Sequence, residues 1–176
     1  TDDNARALVL TALIAQLGEP TASVARLSTR YAAFVQHAFD GNSGLFRNFM
    51  SYDRQWLESA GSPDSNGRSL WALATIVGRS KDEKLVAWAA ELFNGALHRA
   101  LDWPDARAWA FTIMALSEYS RRFAGDRSAR HVCHVLAKKL VGAYRQHKST
   151  DWIWFEPKLT YANARLCQAL ILAAEL

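Results

Sequence analysis

The chain is short of the features that announce several common functions. It has only two cysteines, Cys133 and Cys167. They lack metal-ligand spacing and form no disulfide framework, so a reducing, cytoplasmic setting is expected. No run of about 18 apolar residues occurs, and no charged-then-apolar leader opens the sequence, so neither a membrane span nor a signal peptide is expected. The net charge is +4, with no block of five or six like charges, and the basic residues are scattered over helix faces. Nucleic acid is therefore not an expected partner. A phosphate-binding glycine loop, a dinucleotide fingerprint and a Ser–His–Asp order are all absent, and no cofactor is expected. His131 and His134 stand one helical turn apart without a third ligand, so no metal site is expected either.

Apolar material is plentiful. Half of the 176 residues are hydrophobic and 11% are aromatic, including seven tryptophans, enough for one globular domain spanning residues 1–176. Hydrophobic spacing predicts seven helices, over about 3–17, 22–38, 68–78, 81–100, 106–123, 128–148 and 161–176. The helices in odd positions are apolar on every side and must be covered all round. Those in even positions carry one apolar stripe and a charged face. Asp3 or Asn4 is expected to cap the first helix, Thr21 the second, Ser80 the fourth and Asp105 the fifth. Gly18-Glu19-Pro20-Thr21 should separate the first two. The aromatic-rich segment 45–56 is expected to hold a short strand or irregular hairpin.

Each buried helix opens with the same mark, an Asn or Asp, a small residue, then Arg: Asn4-Ala5-Arg6, Asn66-Gly67-Arg68, Asp105-Ala106-Arg107 and Asn163-Ala164-Arg165. If these helices are parallel, their N-termini share one end of the bundle with the loops 39–67, 102–105 and 149–160. Thr1-Asp2-Asp3-Asn4 is already a helix start without Met, and Leu176 falls inside an apolar helix. Both ends read as cut, so a longer parent chain is expected.

The stretches TDDNARAL, FRNFMSYDRQWLE, GSPDSNGRSLWAL and WFEPKLTYANARL, with the alternation of helices, resemble the (α/α)6 toroids of the six-hairpin glycosidase-like superfamily. They resemble more narrowly a bacterial helical domain of glycosyltransferase-associated, carbohydrate-active proteins. The resemblance implies an incomplete ring of about four inner and three outer helices that binds saccharide where the inner N-termini meet the loops. It implies either glycoside hydrolase-like chemistry or a non-catalytic saccharide-binding or scaffold role beside a glycosyltransferase. A nucleotide-sugar-binding α/β domain is absent, so glycosyl transfer by this chain alone is not expected. A helical interaction module with no sugar ligand is the remaining alternative. An incomplete ring would expose inner-helix surface, to be covered by the rest of the parent chain or by self-association.

Glycoside hydrolysis needs two carboxyls across the scissile bond, and the toroid enzymes commonly invert. Asp3, Asp64, Glu156 and Asp53 are the catalytic candidates. Asp2, Asn4, Arg6, Asn66, Arg68, Asp105, Arg107, Asn163 and Arg165 are candidate saccharide ligands, with Tyr52, Trp56, Trp154 and Tyr161 as stacking platforms. Each has a plainer reading. An acid can cap a helix or hold an arginine. Asn66 can be a cap and Trp71 core. A first-turn arginine can be half of a structural ion pair that offsets an unfavourable helix dipole.

Overall fold

The computed structural model describes residues 1–18 and 21–176. The protein is all-α apart from one small hairpin. Among the described residues seven α-helices occur: α1 (Asp2–Ile14), α2 (Ala22–Ala38), α3 (Pro63–Arg79), α4 (Glu83–Leu97), α5 (Ala106–Ser120), α6 (Arg127–His147) and α7 (Ala164–Ala174). The hairpin pairs β1 (Phe39–Asp40) with β2 (Leu45–Phe46), antiparallel. It starts six residues before the expected segment. Within that segment the chain adds only an isolated bridge between Met50 and Trp56.

The odd-numbered helices form a row in chain order, α1 against α3, α3 against α5, α5 against α7. The even-numbered helices lie outside it: α2 on α1, α4 on α3, and α6 on α5 and α7. The row is parallel. Near the N-termini Gly67 of α3 lies against Ala108 of α5, where a Cβ would come within 3.1 Å of the Ala108 carbonyl. Near the C-termini a Cβ on Gly78 would come within 2.1 Å of the Glu118 carbonyl. Two glycines thus let α3 and α5 approach backbone to backbone. Arg79 locks the far end, its Nε and Nη2 donating to the two Glu118 oxygens at 2.6 Å each and its Nη1 to Gln16 Oε1 at 2.8 Å.

The core is the seam between these rows. Leu70, Leu73, Ile76, Ile113 and Leu116 are essentially inaccessible, and Leu136 and Leu140 of α6 close the seam from outside. Each such side chain contributes roughly 1.5–3 kcal/mol by leaving water. The expected all-round burial holds for α3 and α5 and fails for the two end helices. On α1 Leu10 is 58% exposed, and on α7 Ile171 is 63% exposed. Each flanking helix has an inner neighbour on one side only.

Several helix starts also differ from expectation. Ser62, not the 59–67 loop end, begins α3: its hydroxyl accepts from the Ser65 amide, with Pro63 in the first turn. Asp64, Asn66 and Gly67 are therefore helical. Asp82 rather than Ser80 caps α4, and a 3-10 turn, His98–Asp102, replaces its expected last turn. Asp126 caps α6. Thr21 caps α2 and Asp105 caps α5, as expected. At α1 neither Asp3 nor Asn4 is the cap. Thr1 holds that position, and the Asp2 amide donates to Asn48 Oδ1 at 2.9 Å. Glu19 and Pro20, expected to interrupt the first two helices, lie outside the described residues.

Candidate functional site

The four Asn/Asp-x-Arg marks occupy different depths of their helices. Asp105 and Asn163 are N-caps, Asn4 is the third residue of α1, and Asn66 is the fourth of α3. Asn66 is accordingly not a cap. It is 1% exposed, and its side chain satisfies the backbone of the preceding loop. Oδ1 accepts from the Phe46 amide at 2.7 Å, and Nδ2 donates to the carbonyls of Phe46, Gly61 and Ser62. A helical side chain here stands in for a missing strand partner and fastens the hairpin to α3.

Arg68 lies two residues beyond. Its Nε donates to Asp64 Oδ2 at 2.9 Å and lies 3.2 Å from Asp2 Oδ1, joining α1 to α3. One N–H cannot serve both acids well, and Asp2 Oδ1 is left buried without a hydrogen bond. Burial raises the Asp2 pKa, with Arg68 and then Arg6 working against it. The Arg68 guanidinium lies over Phe111, Cζ 4.3 Å from the ring centroid. Phe111 stacks on Trp71 at 6.1 Å and 13°, and Arg165 of α7 covers Trp71 at 5.1 Å. Side chains of α3 and α7 thus meet across α5.

Arg107, 4% exposed, organises the other half. Nη1 binds Glu156, Nη2 donates to Asn163 Oδ1 at 3.0 Å, and Nε donates to the Tyr161 carbonyl at 2.6 Å. These contacts clamp the chain on either side of Ala162, which is held at φ +50. A residue with a Cβ resists that conformation by about 1–2 kcal/mol. The Tyr161 ring lies under Arg107 at 4.7 Å. Burial, followed by the facing Asp64 carboxylate, pushes the Tyr161 hydroxyl up to about 12. Asp64 and Tyr161 thereby link the Arg68 and Arg107 clusters.

The structure therefore brings together Asp2, Asp64, Arg68, Asp105, Arg107, Glu156, Tyr161, Asn163 and Arg165, and it leaves others outside. Asp3 is 90% exposed at its side chain and meets only Arg6 on its own helix. Arg6 is itself half exposed. Asn4 is partly buried on α1. Asp53 is on the surface and binds the Ser51 hydroxyl, and Tyr52 is fully exposed beside it. Trp56 packs on the other side of the loop, against Phe34 and His37 of α2 and under Arg47. Asp53 thus differs from the expected catalytic placement, and Tyr52 and Trp56 from the expected platform, because the 47–58 loop turns toward α2, whereas Asp3 differs because it lies on the exposed face of α1. Trp154 packs edge-on against Phe155, and Phe155 plugs the core beside Tyr144.

Phe111, Trp71 and Asn48 are site residues that sequence reasoning did not find. The first two read as core because an apolar helix does not reveal which face meets a cation. Asn48 carries no local signal at all.

Three buried carboxylate oxygens at this end have no hydrogen-bond donor, Asp2 Oδ1, Asp64 Oδ1 and Glu156 Oε2, and the Trp154 indole N–H has no acceptor. Each acid gives its other oxygen to an arginine. Two cavities lie elsewhere. One, of about 810 Å³, lies between α1, α2 and the α3–α4 turn, and another, of about 310 Å³, lies between α6 and α7. Neither touches these acids. Among the described residues no His/Cys/Asp/Glu group could hold a metal ion, and no helix is long and apolar enough to cross a membrane. Comparison with protein-family models, curated proteins and solved structures finds no match.

Proposed function

We propose that the end of the inner row is a carbohydrate-active, glycoside hydrolase-like site that binds saccharide across Asp64 and Glu156. One observation carries this reading. Two carboxylates from different elements, α3 and the loop before α7, each keep one buried oxygen outside hydrogen-bond geometry, with only the Tyr161 hydroxyl facing Asp64. Such atoms are costly unless a donor-rich partner meets them, and vicinal sugar hydroxyls are donors of that kind. Tyr161, half exposed beside Asp64, supplies an aromatic edge for the C–H face of a sugar.

The hydrolytic form of the reading also needs a protonated acid. We assign that role to Asp2 by its place, sharing Arg68 with Asp64, and burial raises its pKa against the pull of Arg68 and Arg6; Glu156 would activate water on the Arg107 side. The pairing of Asp64 and Glu156 with arginines favours the second reading, a saccharide-binding domain without turnover. In either case we read the row of four inner helices as part of an (α/α)6 toroid. The free thiols Cys133 and Cys167 accord with a cytoplasmic setting.

The test is tryptophan fluorescence or calorimetric titration with a panel of oligosaccharides, paired with reducing-end release. Asp64→Asn and Glu156→Gln should each weaken binding by about tenfold or more. For the hydrolase, Asp2→Asn should abolish release while leaving binding within a few-fold. A folded wild-type protein that binds no oligosaccharide of the panel ends the reading.

A further inference from the structure

The arginines of the four marks differ in one respect. Arg6 meets Asp2 and Asp3, Arg68 meets Asp2 and Asp64, and Arg107 meets Glu156. Arg165 has no carboxylate within 4.0 Å among the described residues. Its one side-chain hydrogen bond runs from Nη1 to the neutral Gln168 Oε1, at 2.6 Å. The guanidinium is held over the Trp71 ring at 5.1 Å.

A cation in the first turn of α7 is opposed by the helix dipole, and no acid among the described residues offsets it. Packing a guanidinium on an indole occupies its face. The N–H donors lie along its edge, and those of Nε and Nη2 are not taken by Gln168. A planar fork of such donors matches a carboxylate, bidentate, better than any neutral group. The surrounding acids are already engaged: Asp2 and Asp64 share Arg68, and Glu156 holds Arg107.

We propose that Arg165 makes the site selective for a saccharide that carries a carboxylate, a uronic acid. This rests on the saccharide reading of the site. The arrangement sets an orientation as well. Asp64 Oδ1 and Glu156 Oε2 accept hydroxyl donors and repel an anion, so the sugar carboxylate goes to Arg165 and the hydroxyls go to the acids.

The experiment compares three probe sets on the whole chain: oligosaccharides of galacturonic and glucuronic acid, their methyl esters, and the neutral hexose counterparts. The esters keep the shape and lose the charge. Wild type should bind the acids at least about tenfold more tightly than the esters. Arg165→Gln should erase that preference, its affinity for the acids falling to that for the esters. Arg165→Lys, which keeps the charge without the fork, should retain part of it. Equal binding of acid and ester by wild type overturns the role of Arg165 and leaves the saccharide site standing. A preference that survives in Arg165→Gln overturns it too. A folded protein that binds none of the three sets removes both.

Discussion

Helices α3 and α5, at the centre of the inner row, and helices α1 and α7, at its flanks, are all apolar-rich, the flanking α7 no less than the central pair, and have opposite surroundings. Leu73 of α3 is wholly inaccessible, whereas Leu10 of α1 is more than half exposed. Arg107 of α5 is sealed among three partners, whereas Arg6 of α1 reaches only acids of its own first turn. The difference is one of neighbours. A central helix has an inner helix on each side and an outer helix behind. A flanking helix lacks one inner side. Comparable hydrophobicity therefore yields unequal burial, and the same Asn/Asp-x-Arg mark yields a deep clamp in one place and a surface pair in another.

The sharpest way to break this comparison is at the arginines. Arg107→Ala should destabilise the protein by about 3–5 kcal/mol, because it strands Glu156 and frees the loop around Ala162. Arg6→Ala should change stability by less than about 0.5 kcal/mol. Urea unfolding of the two variants side by side measures both. Similar losses at the two positions would show that the flanking helix is as deeply engaged as the central one.

A smaller contrast lies in the leucines. Leu73→Ala opens a cavity in a sealed seam and should cost about 3 kcal/mol. Leu10→Ala removes exposed surface and should cost well under about 1 kcal/mol in the isolated chain. If Leu10→Ala proves as costly as Leu73→Ala, and only at high protein concentration, the bare face of α1 is covered by a second copy in solution.

The smallest effect is a pH dependence at the junction of the flanking and central helices. Asp2 of α1 faces Arg68 of α3, and burial raises its pKa above the ordinary Asp value of 3.8. The folded state then holds the Asp2 proton more tightly than the unfolded chain. The resulting stability is complete below that ordinary value and is lost as pH rises through the folded one. Melting temperatures of wild type minus Asp2→Asn should accordingly fall between acidic and neutral pH. A difference that grows over that interval would mean that Arg68, not burial, governs Asp2.

The seven helices and their alternation were legible in the residues, and the parallel inner row was only a condition until the helices were seen packed. Apolar spacing reports whether a helix side meets water. Pro104-Asp105 and Thr21 announce their starts with a local hydrogen bond that needs no distant partner. Asn66 shows where that legibility stopped. Its sequence context is that of a cap, yet Ser62 begins the helix a turn earlier, and the Asn66 amide serves Phe46, twenty residues away. Among the candidate acids, Asp64 and Glu156 were chosen by their place before buried helices, and both reach the site. Asp3, one of an adjacent acidic pair at a helix start, and Asp53, a further acid of the same end, do not. A carboxylate on a helix points by the helix's rotation, and one in a loop points by the loop's path. A local pattern encodes neither of these.

What the sequence determined by itself was local: seven helices set by apolar period, the starts of α2 and α5 set by short polar side chains, and a mark repeated at four apolar helices. What only the tertiary structure decided was relational. It set which of four like helices was sealed and which left bare, which acid each arginine met, and that Arg165 met none among the described residues. Hydrophobicity is a property of a residue and water, and a chain can encode it position by position. A salt bridge or a stacked ring depends on the distance between two residues, and that distance exists only after the helices have packed.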